Sequence, residues 1–105
     1  MALEFHIESE LSDLLALLGD ALDEYEIGGS DLSGLVHDVQ SVIDEAAPLA
    51  DPTWVGNLWN QWNVLVDVLW SLPPRGERGM SPADCDRVLG ALRGLHFLTE
   101  LNPRG

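Results

Sequence analysis

The sequence predicts an all-α protein, a single-domain four-helix bundle, and three observations lead to this fold class. Apolar residues recur every three or four positions in four separate segments, which is the spacing of one face of an α-helix. Proline and glycine residues separate those segments. The connections of about 4 to 9 residues suit an antiparallel up-and-down bundle or an irregular orthogonal packing, and the sequence leaves both arrangements open.

The first helix is predicted over residues 5–26. One side of it is apolar and the opposite side is acidic, as expected for a helix that covers a core. The pair Gly28 and Gly29 then supplies the stop, because glycine readily adopts the backbone conformation that ends a helix. The apolar stripe comprises Ile7, Leu11, Leu14, Leu15, Leu18, Ala21, Leu22 and Tyr25.

The second helix is predicted over residues 31–47. Its start is indicated by Ser30 or Asp31, either of which can accept a hydrogen bond from an unpaired amide of the first turn. Its end is indicated by Pro48. The apolar stripe is narrow and regular, and it comprises Leu32, Leu35, Val36, Val39, Val42, Ile43 and Ala46.

The third helix is predicted over residues 52–72, between the start signal Asp51–Pro52 and the stop Pro73–Pro74. Asp67 is its single charged residue, so we expect neighbours on more than one side. Its apolar residues fill an arc of roughly 160° at 100° per residue. They are Trp54, Val55, Leu58, Trp59, Trp62, Leu65, Val66, Leu69, Trp70 and Leu72.

The fourth helix is predicted over residues 82–101. Ser81 is the expected cap, Pro82 suits the first turn, and Asp84 suits the positive end of the helix dipole. Asn102–Pro103 is expected to close the helix. The predicted inner face comprises Cys85, Val88, Leu89, Leu92, Leu95, His96 and Thr99.

Length and composition indicate one folded domain over residues 1–105. The chain is 46% hydrophobic, which is enough to bury a core despite its acidity. Cys85 is the only cysteine, so no internal disulfide can form, and a cytoplasmic location is the simpler expectation. The acidic residues 1–10 do not resemble a secretory signal, and no segment predicts a membrane span.

The formal net charge is −13, and its distribution is uneven. Residues 1–74 contain 14 Asp and Glu residues and no Lys or Arg. Nucleic acid and anionic membranes repel such a surface, so neither is expected as a ligand, and a basic protein partner is favoured. An Arg-biased or salt-adapted proteome is an alternative origin of this composition, because the chain contains no Lys.

The sequence offers no expected metal site, cofactor or enzymatic activity. His6 with Glu10, and His37 with Asp38 and Asp44, could each supply ligands from one helix face, but such sets fall short of a closed site. No glycine-rich phosphate loop, nucleophile elbow or Cys-x-x-Cys motif occurs.

A catalytic pair of Cys85 and His96 is not expected either. On one helix these residues lie about 16 Å apart, which is too far for a Cys–His nucleophile. We therefore interpret His96 as a hydrogen-bonded core histidine and Cys85 as a small buried thiol.

Two further features suggest contact surfaces. At the edge of the aromatic arc, Trp54 or Trp70 could be exposed to a partner or to a second copy, because aromatic residues dominate interface hot spots. Gly90 and Gly94 lie outside the apolar arc of the last helix and mark a place where another helix could approach closely.

The leading hypothesis is a small acidic protein-binding inhibitor, namely an immunity protein, an antitoxin-like protein or an anti-defence protein. It would block a cationic partner such as a toxin or nuclease, because dense opposite charge speeds encounter and covers a phosphate-binding site. The alternative is a homo-oligomeric or adaptor domain without an inhibitory role, for example a homodimer. The predicted partner-binding residues are Asp13, Asp20, Asp23, Glu24, Asp38, Asp44, Glu45 and Trp70.

Overall fold

The computed structural model describes the backbone of residues 2–74 and 76–101, and the side chains of residues 10–74 and 76–101. All regular structure in that part of the chain is helical, which confirms the predicted fold class. The elements are α1 (Ala2–Glu26), α2 (Leu32–Ala46), α3 (Pro52–Trp70), a short 3-10 helix (Gly76–Gly79) and α4 (Pro82–Glu100). The observed ends of these helices lie within a few residues of the predicted ones.

The helices form a four-helix bundle in which each one packs against the next, and α1 also contacts α4. Two contacts show that α3 and α4 run in opposite directions. Trp54, near the start of α3, bonds to Leu98 near the end of α4, and Asp67, late in α3, pairs with Arg87, early in α4. The α3–α4 pair is therefore antiparallel, as in an up-and-down bundle.

The core is built from apolar side chains of all four helices. No polar or charged side chain is buried among the residues whose side chains are described, which avoids the cost of desolvating unpaired charge. All seven apolar residues predicted to face inward from α2 are buried. The largest fully buried side chains are Leu18, Leu22, Leu32, Leu35, Ile43, Leu58, Leu65, Leu95, Val39 and Val68.

The helix starts follow the predicted capping residues. At α2, the carboxylate of Asp31 accepts a hydrogen bond from the Gly34 amide at 2.7 Å. At α4, the hydroxyl of Ser81 accepts one from the Asp84 amide at 3.1 Å. Asp51 occupies the cap position of α3, but its side chain makes no capping hydrogen bond, so the predicted role is only partly confirmed there.

The end of α1 is fixed by the predicted glycine pair. Gly28 adopts a positive φ of 83°, a conformation that side chains with a Cβ disfavour. Its amide donates to the Tyr25 carbonyl at 3.1 Å, and the Gly29 amide donates to the Glu24 carbonyl at 2.8 Å. These two bonds form a Schellman motif, which satisfies helix-end carbonyls and turns the chain toward α2.

The inner face of α4 differs from the predicted one. Cys85 and Leu89 were expected to be buried, but both are exposed, whereas Ala91 and Leu98 are buried instead. The buried side of α4 is the one that packs against α3, where the indole of Trp54 donates a hydrogen bond to the Leu98 carbonyl at 3.0 Å. With Ala91 and Leu98 on the packed side of α4, Leu89 is left 50% exposed.

Several sequence predictions lie outside the described residues. These are the inward orientation of Ile7, the His6 side chain in the pair His6–Glu10, and the closing role of Asn102–Pro103. Of the helices that the structure describes, none combines the length and the apolar character needed to cross a bilayer.

Candidate functional site

Seven carboxylates from α1 and α2 form what we call the acidic α1–α2 surface. All seven are exposed to solvent. Among residues 10–74 and 76–101, no ion pair involves any of them. The acidic α1–α2 surface consists of Asp13, Asp20, Asp23, Glu24, Asp38, Asp44 and Glu45.

On α1 the acidic residues line one side of the helix. At 3.6 residues per turn, Asp13, Asp20 and Glu24 lie within about 40° of one another. Leu17 lies in the same stripe and is 54% exposed, whereas Asp23 lies further round the solvent side. The stripe therefore offers carboxylates around an accessible apolar side chain.

On α2 the acidic residues occupy two sides. Asp38 and Glu45 are seven positions apart, so they share one side of the helix. Asp44 lies about 120° round the helix from Asp38 at this helical spacing. The α2 residues thus extend the acidic α1–α2 surface around the helix rather than forming one narrow patch.

One arginine of α4, Arg87, forms ion pairs within the fold. Arg87 lies 3.5 Å from Asp67 on α3 and 3.6 Å from Asp84 on its own helix. These two carboxylates are therefore balanced locally, unlike the seven of the acidic α1–α2 surface.

The tryptophans of α3 divide into packed residues and one exposed residue. Trp54 is buried, so it is not the exposed one of the two tryptophans that the sequence suggested. The indole of Trp62 donates a hydrogen bond to the Val36 carbonyl of α2 at 3.0 Å. The ring of Trp59 packs edge-on against the ring of Trp62, with 5.1 Å between their centroids. By contrast, Trp70 is 83% exposed, as predicted for a residue at the edge of the arc.

The two glycines singled out on α4 have different environments. A Cβ built on Gly94 would lie 2.7 Å from Cδ of Gln61, so the helix that approaches this glycine is α3 of the same chain. The close approach of another helix that the sequence predicts at Gly94 is therefore made within the chain and not by a second copy. At Gly90, a Cβ would meet nothing within 4 Å.

A cluster of potential metal ligands lies where α1 ends beside α4. Donor atoms of Asp23, Glu26 and His96 lie within 4.8 Å of one another. His96 is only half-buried, and its Nε2 is 3.0 Å from Oε1 of Glu26, so it is not the core histidine that the sequence suggested. No other such group of three, including one with His37, occurs among the described residues.

The geometry of this cluster is suited to a divalent cation, because carboxylate oxygens and imidazole nitrogen are common metal ligands. Exposed acidic groups also gather without any ion. What the structure shows is a contact that holds the end of α1 against α4.

A larger feature, which we call the end cleft, opens where α1 and α3 end and α4 begins. It has a volume of about 1150 Å³. Carboxylates of Glu26, Asp31 and Glu77 line it together with the guanidinium of Arg78. Its apolar lining includes Leu69, Leu72, Met80, Val88, Leu89 and Leu92.

The 3-10 helix closes one side of the end cleft by binding to α2. The Leu32 amide donates a hydrogen bond to the Glu77 carboxylate, next to the cap formed by Asp31. Negative charge at this position is favourable, because it faces the positive end of the α2 dipole.

Tyr25 of α1 lies in the end cleft, close to these charged groups. Burial raises the pKa of its phenol, and the negative charges of Glu77, Cys85 and Asp31 raise that pKa further. The end cleft therefore combines an apolar lining with nearby carboxylates.

Sequence reasoning located the exposed acidic residues and Trp70 but missed the end cleft and the cluster at His96. Glu26 and His96 are 70 positions apart, and only the helix packing brings them together. The polar, proline- and glycine-containing segment between α3 and α4 predicts a loop. It does not predict that this loop forms one wall of the end cleft.

No protein-family model, curated protein or solved structure matches this chain. Its function is therefore inferred from the chemistry of its surfaces.

Proposed function

We propose that this protein is a small acidic inhibitor that binds a basic protein partner, such as a toxin or nuclease, through the acidic α1–α2 surface. The observation that carries the proposal is that all seven carboxylates of this surface are exposed and that none has an ion-pair partner among the described residues.

These carboxylates do not hold the described fold together. The core is apolar, and the described ion pairs lie on α4 and its neighbours. Like charges on one surface repel one another and reduce the stability of the compact state. A surface of this kind is consistent with selection for binding a cation rather than for folding.

The helices hold the acidic residues in fixed positions. Asp13, Asp20 and Glu24 are on one helix whose inward side chains Leu14, Leu18 and Leu22 are buried. Because the charges are fixed before the partner arrives, binding orders few groups and loses little entropy. Complementary charge also raises the rate of encounter with a basic protein.

Inhibition follows from the kind of partner that this charge selects. A protein that binds nucleic acid presents Lys and Arg side chains to phosphate groups. A rigid acidic surface competes with phosphate for those side chains. The function proposed is therefore occlusion of a cationic, phosphate-binding site.

The test is a comparison of two charge-reversed variants with the partner captured from the host. Variant D13K/D20K alters the α1 stripe, and variant D86K/E100K alters exposed residues of α4 by the same total charge. We expect D13K/D20K to weaken binding about a hundredfold. We expect D86K/E100K to bind nearly as tightly as the wild type.

Two readouts make this test decisive. Affinity is measured by calorimetry with the purified partner, and inhibition is measured as loss of the partner's binding to a nucleic acid duplex. Equal loss in both variants would show that only net charge matters, and no loss in either would contradict the proposed surface.

A homo-oligomeric or adaptor domain is the second candidate, favoured by an apolar area on the outer side of α4. Phe97 is 60% exposed, and the space around Gly90 is open. Sedimentation equilibrium of the wild type and of Phe97→Glu separates this candidate from the first. A dimer that resists salt and dissociates in the variant would support it, whereas a strict monomer would exclude a homodimer.

A further inference from the structure

The end cleft is a broad, open depression and not an enclosed pocket. Pockets for small molecules usually measure about 300–1,000 Å³ and enclose most of the ligand, whereas this cleft measures about 1150 Å³ and is open to solvent. Its openness suits a segment of polypeptide, which does not have to be enclosed, better than a small molecule.

The apolar lining of the end cleft is accessible from outside. Leu89 is 50% exposed, although it lies between buried positions Val88 and Leu92 on α4. Its neighbours in the cleft, Leu69 and Leu72, are half-buried. An apolar side chain that entered here would remove several leucine surfaces from water at once.

The charges around this lining are mostly negative. Glu26, Asp31 and Glu77 contribute three carboxylates, against one described guanidinium from Arg78. Each carboxylate already accepts a hydrogen bond or pairs with a neighbour. An ionised carboxylate has about four acceptor positions, so each can still bind a further donor.

Helix ends add to this potential. The last residues of α1 and α3 line the cleft, and neither helix has a basic residue in its last turn. The C-terminal end of a helix carries a partial negative charge. The positive start of α2 also borders the cleft, but the Asp31 and Glu77 carboxylates already face it, so the ends of α1 and α3 add a modest negative potential for a cation.

We infer that the end cleft is a docking site for a segment of a basic protein in which an apolar side chain is flanked by Lys or Arg. The apolar side chain enters between Leu69, Leu72 and Leu89, and the flanking cations pair with Glu26, Asp31 or Glu77. This inference rests on the proposed function, because it adds a second contact for the same basic partner. It supplies the specificity that long-range charge attraction lacks.

The experiment uses the isotope-labelled full chain and two synthetic peptides. The first peptide is amphipathic, with Leu on one helical face and Arg beside it, and the second has each Leu replaced by Gln. Two matched variants complete the design: Leu89→Glu inside the end cleft and Phe97→Glu outside it on the same helix. Both residues are about half exposed, so neither change removes a core side chain.

We expect the Leu peptide to shift the amide resonances of Leu69, Leu72, Leu89 and Leu92, and the Gln peptide to bind at least about tenfold more weakly. Leu89→Glu should reduce affinity for the Leu peptide by a similar factor, while Phe97→Glu should leave it unchanged. Equal binding of the two peptides, or equal effects of the two variants, would overturn the inference.

Variant D13K/D20K separates this inference from the proposed function. If D13K/D20K loses the captured partner while Leu89→Glu binds that partner and the Leu peptide normally, the end cleft is excluded and the acidic α1–α2 surface stands. If Leu89→Glu loses both and D13K/D20K loses neither, the docking role of the cleft stands and the proposed α1–α2 contact is excluded.

Discussion

Helices α2 and α4 both pack against α3, but they use their outer surfaces differently. The seven inward apolar residues of α2 are all buried, and its exposed carboxylates have no ion-pair partner among the described residues. On α4, Leu89 and Phe97 remain exposed, and Arg87 balances two carboxylates. The comparison shows that, within the described part of the chain, the carboxylates of α2 lie unpaired at the surface, whereas Arg87 of α4 is already paired with two carboxylates of the fold.

The largest expected difference between the two helices is the loss of stability when a leucine of each is replaced with alanine. Leu35 of α2 is fully buried, so Leu35→Ala should lower the free energy of unfolding by about 3 kcal/mol through lost burial and a cavity. Leu89→Ala on α4 should cost only about 0.5 kcal/mol. Urea denaturation measures both, and equal losses would contradict the exposure of Leu89.

The next largest effect on stability is expected at the two tryptophans of α3 that hydrogen-bond to α4 and to α2. Trp54 is buried and bonds to α4, whereas Trp62 is partly buried and bonds to α2. Replacing Trp54 with Phe should cost about 1.5 kcal/mol, and replacing Trp62 with Phe about 1 kcal/mol. Trp70→Phe is the control and should leave the urea midpoint unchanged, and a loss there as large as at Trp54 would contradict the assigned exposures.

Neutralising one carboxylate on each helix tests whether its charge contributes to stability. Asp84 lies in the first turn of α4 and pairs with Arg87, so Asp84→Asn should cost about 0.5 kcal/mol. Asp38 on α2 has no described ion pair, so Asp38→Asn should leave stability unchanged or raise it slightly. Thermal unfolding at low salt measures both, and a loss at Asp38 would show that its charge supports the fold.

The smallest expected effect concerns Tyr25, which lies in the end cleft between the start of α2 and α4. Its pKa is raised in the folded state, so its contribution to stability is fully present below the unfolded pKa of about 10 and is lost as pH rises through the folded value. The chain contains one Tyr, so tyrosinate absorbance reports this residue alone. Glu77→Gln should lower the folded pKa, and a titration identical to that of the unfolded chain would contradict the burial of Tyr25.

The sequence was most informative where one periodic pattern had no competitor. On α2 the apolar positions define a single stripe, and all of them are buried. On α4 two overlapping arcs are possible, one through Leu89 and one through Ala91 and Leu98, and packing against α3 selects the second. Periodicity alone could not decide between them, because the choice depends on a neighbouring helix.

The candidate surfaces were also only partly predictable from the sequence. Exposure of the acidic residues and of Trp70 follows from their place on each helix. The end cleft and the contact between Glu26 and His96 could not be predicted, because their residues are distant in the chain and meet only after the helices pack.

The most direct measurement of the central claim is the ionic-strength dependence of the association rate with the captured partner. The account predicts a steep fall of the rate constant with added salt for the wild type and for D86K/E100K, because opposite charges steer the encounter. It predicts a slower and much less salt-dependent association for D13K/D20K. A wild-type association rate constant that does not change with salt, or an identical salt dependence in all three proteins, would contradict binding through the acidic α1–α2 surface.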